Sequence, residues 1–194
     1  MAAYMKNRFA FLGIQTPVRR QLCNPLIRGF TGNPAAAAAS LWRLAAREYQ
    51  YVGCDLLRHH VGNLNASDLP QLEKLVQNKS WWDTVDSLAP VIGDIVLRGP
   101  ALEAKMDRMI EADDFWLRRV AILHQLAWKE KTDQERLFRY CLQCAGESEF
   151  FIRKAIGWAL RQYARTAPDA VRAFLDQHKN TLSGLSLREA GKHL

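Results

Sequence analysis

Three groups of residues in this 194-residue chain have the types and spacing to do chemistry. The first is KSWWDTVDS, residues 79–87, which carries two carboxylates. With Ser80 as a helix N-cap, Asp83 is the reciprocal member of a capping box, and its charge suits the positive end of the helix dipole. Asp86 lies beyond that first turn, four residues after Trp82, so the ring and the carboxylate share one helix face. The second group is Lys154, Trp158, Arg161 and Arg165, on a helix expected from Ser148 to about Arg165. They stand across from an apolar stripe of Ile152, Ala155, Ile156, Ala159, Leu160 and Tyr163. A tryptophan flanked by cations along a helix edge is a combination that holds a phosphate backbone and packs against its sugars or bases. The third is the pair Arg118 and Arg119 within WLRRVAIL. Cys141 and Cys144 form a C-x-x-C, but structural zinc needs a second ligand pair at matching spacing, and no histidine supplies it. They read as small apolar helix residues, His59 and His60 as cations at a helix C-terminus, and no metal site is expected.

The elements that must position these groups are helices. Apolar residues recur at three and four, and alternating β-branched runs are missing. Thr16-Pro17 and Asn33-Pro34 each set a cap residue before proline, and Ser67 to Pro70 looks alike. Thr132 to Glu135 and Ser186 to Glu189 read as capping boxes, and Gly99-Pro100 as a stop. About ten to twelve short helices result. They repeat: Trp81, Trp116 and Phe151 fall 35 residues apart, each opening a similar helix, with a weaker echo at Glu48. A period in the mid-thirties with two helices per unit belongs to α-solenoids, whose stacked pairs curve into a concave surface. The expected fold is therefore an all-α, right-handed solenoid with a basic concave groove. The repeated aromatics are expected in its core, as are Val85, Leu88, Ile92 and Val96.

Composition sets the bounds. At 48% hydrophobic residues the chain suits one globular domain, residues 1–194, with a sizeable core. No apolar run approaches the roughly 20 residues of a membrane span, and MAAYMKNRFAFLGI lacks a leader's cleavage site. A soluble, cytoplasmic protein is expected. The net charge is +7, and the first 47 residues hold Lys6, Arg8, Arg19, Arg20, Arg28, Arg43 and Arg47 without one acid. Such a one-signed field suits nucleic acid or an anionic membrane surface; the alternative is a solvated surface.

The segments KSWWDTVDSLAP, DFWLRRVAILHQL, EFFIRKAIGWALRQYARTAP and YMKNRFAFLGIQTPVRR together resemble the DNA alkylation repair family, the AlkD-type DNA glycosylases of HEAT-like repeats. The similarity runs over nearly the whole chain. It implies removal of cationic alkylated purines, N7-methylguanine and N3-methyladenine, by hydrolysis of the N-glycosidic bond in double-stranded DNA. By the same resemblance Asp86 is the catalytic carboxylate, Trp82 and Trp158 pack on the sugar, and Arg119 is the active-site arginine. Tyr4 matches an aromatic near the lesion and Arg161 a phosphate-contacting arginine; Arg118, Lys154 and Arg165 are expected to contact DNA. No cofactor or membrane is implied, and a monomer is expected. Family members usually begin with a further helix ahead of YMKNRF and often continue past LSLREAGKHL, so a terminal helix is expected to be lacking at one or both ends.

The implied chemistry suits these residues. An N7- or N3-alkylated purine already carries positive charge and leaves as a neutral base, so no general acid is required. Positive charge develops on the deoxyribose, and a fixed carboxylate facing it is electrostatic catalysis. Tryptophan faces stabilise nearby cations by about 0.5–2 kcal/mol. Arg119, permanently charged, is expected to hold a phosphate or to position Asp86. Many glycosylases flip the base out; the resemblance implies that here it stays stacked. Two rival readings remain at this stage, a non-catalytic DNA-binding solenoid and a protein-interaction scaffold.

Overall fold

Heptad-like apolar spacing without alternation leaves the chain little choice but helix. The computed structural model describes residues 1–194, the side chain of His193 excepted, and is all-α. Among the described residues the extended pairing is limited to one isolated parallel bridge, Ala10 with Ala46. None of the helices is long and apolar enough to cross a membrane. The chain divides into two compact units, residues 1–98 and 99–194.

The first unit contains α1 (Thr16–Arg28), α2 (Pro34–Arg43), α3 (Arg47–His59), α4 (Leu69–Gln77) and α5 (Trp82–Arg98). Helix α3 packs against α1, α2 and α5, and α4 against α2 and α5. Leu57, Leu72, Leu88, Ile92 and Ile95 are buried in its core. The repeat period reappears as bonds between equivalent helices. Arg19 of α1 reaches Asp55 of α3 at 3.1 Å, Arg58 of α3 reaches Asp94 of α5 at 2.6 Å, and Arg47 of α3 pairs with Asp83 of α5. Each pair is 36 residues apart.

The second unit contains α6 (Glu103–Ile110), α7 (Phe115–Leu123), α8 (Gln134–Gln143), α9 (Phe150–Tyr163), α10 (Pro168–Gln177) and α11 (Gly184–Ala190). Helix α7 packs on α6, α8 and α9, and α9 packs most extensively on α11. Arg136 and Arg139 of α8 pair with Glu103 and Asp107 of α6. Trp81 and Trp116 are buried as expected, and the Trp116 ring lies 5.0 Å from that of the half-buried Phe151, one period on.

Several helix starts differ from the expected caps. Asn33 does cap α2, accepting from the Ala36 N–H at 2.8 Å. Helix α8 is capped by Asp133 rather than Thr132, and α11 by Ser183, three residues before the expected Ser186. Ser186 and Glu189 lie inside α11 and are buried. Ser80 caps nothing: its hydroxyl donates back to the Val76 carbonyl at 2.7 Å. The buried Cys141 and Cys144 are packed as apolar residues, and burial pushes the Cys144 thiol up to about 12. No metal-ligating cluster occurs among the described residues.

Candidate nucleic-acid interface

In the first unit the segment 79–86 is shaped by a buried arginine. Arg47, fully buried on α3, donates through Nε to Asp83 Oδ2 at 3.1 Å and through Nη2 to the other oxygen, a two-pronged pair. It also donates to the Lys79 carbonyl at 2.7 Å and to Thr84 Oγ1 at 2.9 Å. Tyr51 adds its hydroxyl to Asp83 Oδ2 at 2.6 Å, and the Thr84 N–H bonds Oδ1 at 2.9 Å. Burial and the bond to Asp83 raise the Tyr51 hydroxyl pKa above its ordinary value. Asp83 stands in the first turn of α5 as expected, not in a capping box but at the centre of a buried network, its side chain 7% exposed. Lys79 bends the chain between α4 and α5 with a φ of 51°, unusual for a residue with a Cβ. Its ammonium bonds the Trp42 and Leu44 carbonyls, and burial with the neighbouring Arg47 charge lowers its pKa.

Trp82 and Asp86 are half-exposed on α5, one turn apart, while Val85, Leu88, Ile92 and Val96 face inward as the sequence pattern predicts. Pro90, with no N–H to give, stands four residues after Asp86, so the helical bond that would end on the Asp86 carbonyl is missing. Tyr4 lies in the N-terminal arm, 74% exposed, with its ring edge-on to Trp82 at 5.9 Å. Arg8 of the same arm covers the Trp81 ring at 4.2 Å. The structure therefore brings Tyr4, Trp82 and Asp86 onto one stretch of the first unit.

In the second unit α9 carries Lys154, Trp158 and Arg161, with Trp158 half-buried. Their face is less open than an outward basic stripe. Gly157 lies on it, and α11 packs so closely there that a Cβ on Gly157 would sit 2.4 Å from Glu189 Cβ and 2.9 Å from the Ser186 carbonyl. Glu189 then pairs with Lys154 at 3.0 Å, Arg161 at 2.8 Å and Lys192 at 2.7 Å. The Lys192 hydrogen bond, with that of Lys154, holds the Glu189 carboxyl down at about 2 although burial opposes this. Arg165 is exposed beyond the end of α9. Arg119 is 4% exposed on α7, donates to the Phe151 carbonyl and lies over the Phe151 ring at 5.9 Å. Arg118 is committed to protein: it grips Glu147 with two bonds of 2.9 and 2.8 Å and donates to the Ala112 and Asp113 carbonyls. These bonds hold, within the protein, the guanidinium that is expected to contact DNA.

Sequence reasoning missed the roles of Arg47 and Glu189 and did not single out Tyr51 or Gly157. A glycine inside a strong helix-forming run, and a basic residue 36 positions before Asp83, were the available signals.

The chain as a whole is similar to known proteins. The family model of DNA alkylation repair enzymes matches residues 1–194. Among solved structures, a predicted DNA alkylation repair enzyme from Enterococcus faecalis is similar at 34% identity, covering 100% of this chain and 92% of that one, with a TM-score of 0.87. AlkD2 from Streptococcus mutans shares the fold at 15% identity, over 100% and 97% of the two chains, with a TM-score of 0.70. The smu.31 protein of Streptococcus mutans UA159 does so at 15% identity, over 91% of each chain, with a TM-score of 0.68. No curated protein matches the chain. A family match over its full length, together with a relative 34% identical throughout, makes this chain a member of the DNA alkylation repair enzyme family.

Proposed function

We propose that the protein is a monofunctional DNA glycosylase that hydrolyses the N-glycosidic bond of N7-methylguanine and N3-methyladenine in duplex DNA. The observation that carries this reading is the grouping of Tyr4, Trp82 and Asp86 on one stretch of the first unit. Asp83 is engaged by Arg47, Tyr51 and Thr84, and Asp86 sits with Trp82 on the half-exposed face of α5. The bonds of Asp83 fit a structural role, and the resemblance gives the catalytic role to Asp86, which lies one turn from Trp82.

In the reaction, the bond between C1′ and the base nitrogen breaks and its electron pair moves onto the purine, cancelling the positive charge that alkylation put there. The base departs neutral, so no residue has to protonate it. Asp86 stabilises the cationic sugar, and water adds to C1′ and gives up a proton, completing hydrolysis. Trp82 is assigned to the sugar as an electron-rich face, a role the resemblance also gives to Trp158. Arg119 is assigned an electrostatic role, since a guanidinium does not serve as an acid. Lys154, Arg161 and Arg165 are assigned to the DNA backbone, and Tyr4 to the DNA near the lesion. The base remains in the stack, the protein acting on its sugar.

The test is to incubate the purified protein with duplexes holding one N7-methylguanine, one N3-methyladenine or one uracil and to measure free base. Release of the two cationic bases with uracil retained is expected. Efficient uracil release would mean that some residue protonates the leaving group, and the mechanism would fail. Duplex binding without release of any base would make the protein a non-catalytic DNA-binding member of its family.

A further inference from the structure

We infer that the dipeptide Arg47–Glu48, in the first turn of α3, is a positioning device that sets Tyr4 and Trp82 against each other and fixes the approach of Asp86. The two residues grip different segments. Arg47 holds the start of α5 through Asp83, Thr84 and the Lys79 carbonyl. It also holds the N-terminal arm: its backbone N–H donates to the Ala10 carbonyl at 2.8 Å, and its guanidinium lies over the Phe9 ring at 3.8 Å. Glu48, 2% exposed, takes the next stretch of the arm by accepting three successive N–H groups, from Leu12 at 3.0 Å, Gly13 at 2.9 Å and Ile14 at 3.2 Å. Three consecutive amides turn toward one carboxylate because Gly13 adopts a φ of 86°, which a side chain would resist.

The arm carries Tyr4 and α5 carries Trp82, so the edge-on contact of their rings depends on a register that one dipeptide sets from both sides. Mere attachment would not need this chemistry. Apolar residues of similar volume hold helices together as well as a buried ion pair does. What a planar fork adds is direction: it fits one arrangement of the Lys79 carbonyl, the Asp83 carboxylate and the Thr84 hydroxyl, and hence one setting of the turn from which Trp82 and Asp86 project. Arg47 and Glu48 do not touch the reacting atoms in this scheme; they act through Trp82, Tyr4 and Asp86.

The catalytic consequence rests on the glycosylase reading above, so the test has a second arm that does not. In the 194-residue protein the indole N–H resonance of Trp82, assigned by its loss in Trp82→Phe, reports the ring contact, and Tyr4→Leu marks where the signal goes when that contact is lost. Three variants are compared with the wild type, each first checked for a native circular dichroism spectrum: Arg47→Lys, Glu48→Gln, and the double change Arg47→Met with Asp83→Leu, which replaces the buried pair by apolar side chains. In each, the Trp82 signal should move toward the Tyr4→Leu position. Single-turnover release of N7-methylguanine should fall by about 10- to 100-fold, the scale of an ångström-size misplacement. Affinity for undamaged duplex should stay within about twofold, since lost positioning lowers the chemical step rather than ground-state binding. Folded variants with a wild-type Trp82 signal would overturn the inference, as would a rate loss that only mirrors a loss of affinity. If the wild type releases no base, the glycosylase reading fails and the resonance comparison alone decides the positioning role. If Arg47→Lys does not fold, Glu48→Gln and the double variant decide it.

Discussion

Arg47 turns Asp83 from a charge at a helix start into half of a buried ion pair, and this changes what a substitution there should do. As the partner of a capping box, Asp83 would be nearly dispensable. As a carboxylate 7% exposed, bonded to a fully buried guanidinium, it is not. Asp83→Asn leaves Arg47 charged without its counter-ion, a change that typically costs about 3–5 kcal/mol. Asp86→Asn belongs to a different class. It keeps the shape of the side chain and removes the charge proposed to face the sugar cation. The rate should drop about 10²–10³-fold, roughly 3–4 kcal/mol in the barrier, with duplex binding nearly kept. Urea unfolding of the first variant and single-turnover kinetics of the second separate the two roles. An Asp86→Asn protein of wild-type rate would remove Asp86 from the chemistry, and an Asp83→Asn protein of wild-type stability would show that Asp83 is no anchor. The sequence distinguishes these two aspartates only by position in a helix; what separates them in the folded protein is a residue 36 positions upstream of Asp83.

At the scale of elements, α9 shows why the face of a helix is easier to read than its surroundings. Its apolar stripe was legible, and Ile152, Ala155, Ile156 and Leu160 are buried. Its basic face was legible as well, but the helix laid across it was not. The expected capping box at Ser186 and Glu189 misplaced both residues, because a serine three positions earlier makes the cap. Glu189 is thereby carried into the interior, where it joins α11 to α9 through Lys154 and Arg161. A consequence for acid stability follows. The carboxyl is held at about 2 in the folded chain, below its ordinary value of 4.5. A depressed carboxyl stabilises the fold fully above the unfolded value, and that contribution is lost as the pH falls from about 4.5 through about 2. Glu189→Gln should accordingly melt below the wild type at about pH 7, with the gap closing as the medium is acidified through that window. Melting followed by circular dichroism at a series of pH values tests this; a gap that stays constant would mean that the charge of Glu189 does not bind α11 to α9.

For the whole molecule the repeat explains a charge pattern that composition alone made ambiguous. The first 47 residues contain seven cations and no acid, which suggested an open one-signed field. Three of the seven are answered later in the chain: Arg19 and Arg20 by Asp55, and Arg47 by Asp83. The asymmetry is partly a matter of phase, since α1 and α3 of the first unit lend arginines to acids one period on. Helical class and the period in the mid-thirties could be read from spacing, because local periodicity encodes both. The pairing of charges could not, because it depends on which residues the repeat stacks together. Paired cations contribute little to releasing counter-ions from DNA, and this can be measured. The logarithm of affinity falls with the logarithm of salt by about 0.9 for each phosphate neutralised. Arg165 is exposed at the end of α9, so Arg165→Gln should reduce that slope by about one. Arg118 has its guanidinium on Glu147 and two carbonyls, so Arg118→Gln should leave the slope where it was, whatever it does to stability. Anisotropy titrations of an undamaged duplex between about 50 and 200 mM salt span enough of the dependence to tell these apart. Equal losses of slope in the two variants would show that Arg118 gives up its internal bonds for phosphate, and an unchanged slope in Arg165→Gln would place the DNA away from the end of α9.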